Sequence, residues 1–282
     1  MARTNRDWVK RLNGEEQAAL KASEDFFRRP SSRFQKVVSK VSRPLDKVLK
    51  ASPESFQKSI TNAIHSVLKT VAEGAEAGFS EQELVDQLCG RLGLELNPWD
   101  RIFHSDFRTL DEIVVKRIRA SKKLAIVQGG VTGLTGLPGL LADIPSLYFL
   151  LFRTVNQVAT CFGHPAHSPT ERRYLLQVVN VGHHLEEHDL RCAFGELEEI
   201  ENQLEDKTGS TEDLQRALLA KTIQLLARKL TATILHRKAA QTVALVGGAV
   251  GAVINRQLTE DVSLTARHAY RRRFLKQAAL SR

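Results

Sequence analysis

Residues 124–153, LAIVQGGVTGLTGLPGLLADIPSLYFLLFR, form the longest apolar run in the chain and contain five glycines, two prolines and one aspartate. The length suits a membrane span of about 20 residues. The interruptions argue against one. Each glycine in a helix interior costs roughly 1 kcal/mol relative to alanine. Pro138 should kink the run, Pro145 should end or restart a helix, and a central Asp143 opposes insertion by roughly 2.5–3.5 kcal/mol. Gly129, Gly133 and Gly136 fall on one helical face, and small residues so spaced let two helix backbones approach closely. Residues 239–255, AAQTVALVGGAVGAVIN, echo this pattern: Gly247 and Gly251 make a GxxxG, with Asn255 one turn further on the same face. The two runs read as a glycine-faced helix pair that meets in the protein core or inserts conditionally into lipid. Asp143 is expected either to be buried and paired, with Asn255 or Arg256 as candidates, or to cap the helix that carries Pro145.

The rest of the chain reads as helical. Phe56, Ile60, Ile64, Val67, Leu68 and Val71 recur at helical spacing after Ser52-Pro53-Glu54, and Gly74 and Gly78 stop that helix. Ser80–Glu83 and Thr109–Glu112 are capping boxes, and Ser168-Pro169-Thr-Glu171 combines a capping box with proline at the first position. Leu190, Phe194, Leu197 and Leu204 line one seam of an acidic segment. A further long helix carries Leu214 to Ile234. Few alternating β-branched runs occur, which disfavours an all-β fold. The expected fold is all-α, about ten helices with two glycine-faced apolar helices at the centre, divided into a basic N-terminal helical arm over residues 1–50 and a helical domain over residues 51–282.

Charge is uneven along the chain. The net charge is +9, yet residues 1–60 hold 14 Lys/Arg against 7 Asp/Glu, and residues 186–213 hold 11 acids against Arg191 and Lys207. Toward the other end, Ala266, Tyr270, Phe274 and Ala278 form an apolar stripe. Arg267, Arg271, Arg272, Arg273 and Lys276 crowd the opposite side. A basic amphipathic helix suits an anionic membrane surface; it could equally pair with the acidic segment. No helix-turn-helix, RNP or zinc-finger signature accompanies it, so no specific nucleic-acid partner is expected. The three cysteines lack CxxC spacing, which fits reduced thiols. The first residues lack the apolar segment of a secretory signal.

The block TGLTGLPGLLADIPSLYFLLFRTVNQVATCFGH, the following SPTERRYLLQV and the later VGGAVGAVINRQL and ARHAYRRRFL resemble the EcsC family over about residues 110–275. The family-level positions implied here are Gly133, Gly136, Asp143, Pro145, Gly247, Gly251 and Asn255. The resemblance implies a bacterial, intracellular, α-helical protein from a family named after a gene beside an ABC transporter. It implies no enzymatic activity and no metal site.

Signals for chemistry are sparse. His184-Leu-Glu-Glu187-His188 matches HxxEH, in which two histidines on one helical face hold zinc and the glutamate serves as base. Such five-residue matches come cheaply in a His- and Glu-rich segment, and a third ligand would be needed. His164 and His167 sit in a loop near Cys161. There is no G-x-S-x-G, and no GK[ST] follows Gly129–Gly133. The expected function is therefore a cytoplasmic accessory protein, peripheral to the inner membrane, serving transport, secretion or envelope homeostasis. It would act without a cofactor and with an anionic membrane surface or a membrane protein complex as partner. The alternatives are a zinc hydrolase built on His184, Glu187 and His188, and a nucleic-acid-binding module.

Overall fold

A computed structural model describes residues 7–28, 54–74, 79–94, 99, 101–133, 136–184, 187–205, 211–238 and 247–282. Side chains are described for all of these except 132–133, 136–140, 187–189, 236–238 and 247–250. The described residues form nine α-helices, short 3-10 turns at Asp7–Arg11 and Ile102–His104, and no strand, as an all-α reading requires. The helices are α1 (Gly14–Arg28), α2 (Glu54–Ala72), α3 (Glu81–Leu92), α4 (Phe107–Gly133), α5 (Gly136–Cys161), α6 (Pro169–His183), α7 (Glu187–Glu205), α8 (Glu212–Lys238) and α9 (Gly247–Ser281).

The helix ends follow local chemistry. Ser80 caps α3 by accepting from the Glu83 amide at 3.2 Å, and Gly93 closes it in the left-handed conformation at φ +64°. Ser168 caps α6 in the same way, with Pro169 at its first position. At α1, Asn13 and Glu16 exchange side-chain and backbone bonds of 2.9 Å each, a full capping box. The Thr109 box is corrected. Helix α4 begins at Phe107, and the Thr109 amide donates to the Asp106 carboxylate at 2.8 Å. The ionised side chain three residues earlier is the stronger acceptor.

Two expectations about the apolar run also change. Pro145 neither ends nor restarts a helix, because α5 runs through it from Gly136. The carbonyl that loses its donor belongs to Leu141, a residue on the exposed side where water reaches. Asp143 is consequently interior to α5, and the cap reading falls away.

α9 is the axis of the molecule. At 35 residues it is about 52 Å long, and α1, α4, α5 and α6 all pack on it, its closest partner being α4. α7 and α8 pack on α6, α2 on α8 and α5, and α3 on α5. Leu20, Phe26 and Phe27 of α1 belong to the same hydrophobic core as Tyr148, Tyr174, Phe162 and Phe274. Helix α1 is thus part of the body; residues 29–53 lie outside the described residues.

Crowding at one crossing is extreme. A Cβ on Gly182 of α6 would stand 2.5 Å from the Val262 Cα of α9. Backbone cannot yield as a side chain can. Gly182→Ala is expected to destabilise the fold by about 1–3 kcal/mol, read as a lower midpoint in urea; an unchanged midpoint would contradict this crossing.

Candidate functional site

The end of the molecule built from the glycine-rich run is distinctive. A Cβ on Gly129 of α4 would lie 2.5 Å from the Gly251 carbonyl oxygen of α9 and 2.7 Å from Asn255 Nδ2. Here the two helices touch through glycine. Asn255, fully buried, donates to Asp143 Oδ1 at 3.0 Å, and Gln128 donates to the Asp143 backbone carbonyl at 3.2 Å. Asp143 thus ties α5 to α9 through its carboxylate and to α4 through its main-chain carbonyl. Gly133, Gly136 and Gly247 lie in the same helices, but their surroundings fall outside the described side chains, and Pro145 follows Asp143 by two residues in α5.

Beyond this clasp the surface is aliphatic. Leu124, Val127 and Val131 follow each other along one face of α4 and are 51%, 66% and 65% exposed; Leu141 of α5 and Val253 of α9 are exposed too. No charged residue occurs from 124 to 142. Lys116, Arg119 and Lys123 precede this row on the same side of α4, all exposed. None of the three is held by a carboxylate among the described residues. Each set has the spacing i, i+3, i+7, and the two lie on one broad side of α4, basic first and aliphatic after it. From Lys123 to Val131 the rise is about 12 Å. No described helix is long and apolar enough to cross a membrane.

Arg267, Arg271, Arg272, Arg273 and Lys276 of the C-terminal helix are buried or half-buried, and each meets a carboxylate. Arg267 and Arg271 both bind Asp111, the latter at 2.6 Å. Arg273 binds Glu171 through two bonds of 2.5 and 2.8 Å while lying over the Tyr174 ring. Arg272 approaches Glu198 at 3.6 Å, and Lys276 binds Glu205. Only these last two use the acidic segment. The expected amphipathic division also differs: Tyr270 and Phe274 are buried, but so are Arg271 and Arg273. An anionic surface reaching these five side chains would first have to displace their carboxylates. Burial alone would raise the Asp111 carboxyl, but the Arg267 and Arg271 guanidiniums outweigh it and hold it below the usual range.

The histidines are dispersed. α6 ends at His183, His184 is its extended cap at ψ 138°, and α7 begins at Glu187. His184 and His188 therefore do not share one continuous helical face, the premise of the HxxEH reading. Glu187 and His188 lie outside the described side chains. His183 is fully buried, its Nε2 2.8 Å from the Tyr148 hydroxyl, which donates to the Leu230 carbonyl. His167 pairs with Glu81. Burial, then the neighbouring Arg273, hold His164 well below the ordinary imidazole pKa, and burial pushes the Cys161 thiol up to about 12.

The EcsC protein family model matches residues 15–275. The chain belongs to the EcsC family. It is also 26% identical over 239 residues to the uncharacterized protein YdbA of Bacillus subtilis (strain 168), covering 83% of this chain and 84% of that protein. No solved structure matches. The EcsC match takes in every helix that meets at the clasp and begins within α1.

Lys116, Arg119 and Lys123 were not singled out by sequence reasoning, although their spacing ahead of the apolar run was a readable signal. What it could not supply was that no carboxylate among the described residues holds them. The clasp is tested by Asn255→Ala, which leaves a buried carboxylate short of a donor. The expected loss is about 3 kcal/mol by chemical denaturation; wild-type stability would remove the clasp as a determinant. Asp111 gives a pH signature. Its folded pKa is depressed, so its contribution is complete above the ordinary carboxylate pKa of about 4 and is lost as pH falls through the folded value. Asp111→Asn is expected to cost about 3 kcal/mol near neutral pH, and the gap to wild type should narrow on acidification below pH of about 4. A gap independent of pH would contradict the ion-pair account.

Proposed function

We propose that this EcsC-family chain is a peripheral membrane accessory protein that attaches to an anionic membrane surface by the glycine-rich end of α4, α5 and α9. The observation that carries the reading is the α4 stripe: cations at Lys116, Arg119 and Lys123, then exposed Leu124, Val127 and Val131. An aliphatic row preceded by exposed cations matches the two zones of a membrane interface. The cations would sit among headgroups, each contributing about 1 kcal/mol. The aliphatic side chains would enter the acyl boundary, where full burial of one is worth roughly 1.5–3 kcal/mol. A reach of about 12 Å stays within one leaflet of a hydrocarbon core of about 30 Å. The buried clasp beneath would keep the three helices together while their ends leave water. Attachment of this kind is reversible and suits an accessory role at the cytoplasmic face in transport, secretion or envelope homeostasis, a role that the family's naming after a gene beside an ABC transporter also suggests.

Flotation with phosphatidylcholine vesicles, with and without phosphatidylglycerol, tests this. The protein is expected to float with anionic vesicles at low salt and progressively less as salt rises. Val127→Asp with Val131→Asp should abolish flotation while leaving thermal unfolding unchanged, since both positions are exposed. Lys116→Ser with Arg119→Ser and Lys123→Ser should remove the dependence on anionic lipid. Failure of wild type to float at low salt, or normal flotation of the double aspartate variant, would overturn the reading.

A further inference from the structure

α2, the start of α6 and the first half of α8 enclose a cleft of about 620 Å3, within the range of small-ligand sites. It lies where α5 ends and α6 begins. α5 has 26 residues, so roughly 39 Å separate this cleft from the glycine-rich end. A bilayer holding that end would leave the cleft in water.

The cleft has an aliphatic floor and basic walls. Leu219, Ala220 and Ile223 of α8 supply the floor, while Lys69, Arg172 and Arg216 stand against Glu73 and Glu212. Arg172 is the decisive residue. Its Nε donates to the Ala166 carbonyl at 3.0 Å and its Nη1 to the Ala72 carbonyl at 2.9 Å. Both partners are neutral, and no carboxylate among the described residues pairs with it. Its Nη2 occupies the space a Cβ of Gly74 would take, 2.6 Å from that position, and Gly74 holds φ +79°. Only glycine gives the guanidinium that room.

A partly buried cation with no counter-charge is costly, and protein interiors normally supply one. Arg267, Arg271, Arg272 and Arg273 of α9 each have a carboxylate, whereas among the described residues none pairs with Arg172. Two more donors, His65 and Gln224, line the same cleft without a hydrogen-bond partner among the described residues. Among the described residues, Lys69 pairs only with Glu73 at 3.6 Å, just past the end of α2, and Arg216 only with Glu212 at 2.6 Å on α8. These are exposed pairs of the weak, exchangeable kind.

We propose that the cleft binds a small organic anion, with a carboxylate or phosphate head against Arg172 and Lys69. Gln224 and His65 serve as further donors, and the aliphatic body of the ligand lies on Leu219, Ala220 and Ile223. The head supplies the charge that Arg172 lacks. Fatty carboxylates and alkyl phosphates share this chemistry and are separated by experiment. The inference is independent of membrane attachment, since the two sites occupy opposite ends of α5.

Isothermal titration calorimetry on the full chain with octanoate, octyl phosphate and octylammonium tests the proposal. Either anion is expected to bind and octylammonium is not; the tighter anion identifies the head group. Lys69→Ser should weaken anion binding about tenfold, and Ala220→Trp should abolish it by filling the cleft. Both positions are exposed, so thermal unfolding and vesicle flotation should stay at wild-type values. Arg172→Gln should also abolish binding, but it loses the clamp on α2, so the other two variants carry the test. No heat from either anion at millimolar concentration, equal binding of octylammonium, or undiminished anion binding by Ala220→Trp would overturn the proposal.

Discussion

A long helix buried on nearly all sides must find partners for the charged and amide side chains it carries into the interior. α9 sets this requirement for the whole molecule. It brings Asn255, Arg271 and Arg273 into the interior, and each is met from a different element: α5, α4 and α6. An unmet group would cost more than a typical hydrogen bond contributes, because desolvation is then uncompensated. The surrounding helices are therefore placed as much by polar complementarity to α9 as by apolar packing. Glu16 extends the same logic to the chain ends, where the buried carboxylate of α1 receives two bonds from Arg282.

The close approach of α4 and α9 depends on the same helix. Gly129 against Gly251 removes the side-chain layer between them, so Asn255 comes within reach of Asp143 on α5. Packing and polar satisfaction are coupled here: a Cβ at Gly129 would meet both the Gly251 carbonyl and the Asn255 amide. Past the clasp no such constraint acts, and the same helices end in exposed aliphatic side chains. The change from a tightly bound interior to an apolar, uncharged end occurs within a few turns of α4. That contrast is why attachment at this end is the functional reading with most support.

Recognition of the family required little beyond the two glycine blocks, and the all-α class followed from helical periodicity and caps. The Asp143–Asn255 bond was among the pairings that the two blocks suggested. Other features resisted reading for physical reasons. Pro145 is a helix breaker by local rule, yet a long packed helix tolerates one lost bond where water can replace it. The C-terminal arginines had the pattern of a surface-binding helix. Their burial depended on Asp111 and Glu171, which lie 102 to 160 residues away in sequence. The HxxEH match assumed an unbroken helix, whereas α6 stops at His183.

Residue order alone determined which segments are helical, where many of them start, and that two glycine-rich segments are special. These are local matters of propensity, capping and spacing. Tertiary structure decided which cations are neutralised. Arg271 and Arg273 proved to be interior and paired; among the described residues, Lys116, Arg119 and Lys123 are exposed without a carboxylate partner, and partly buried Arg172 hydrogen-bonds only to carbonyls. The reason is that a charge is defined by what surrounds it. Composition counts the arginines, but only the fold brings each one to a carboxylate, to water or to an open cleft.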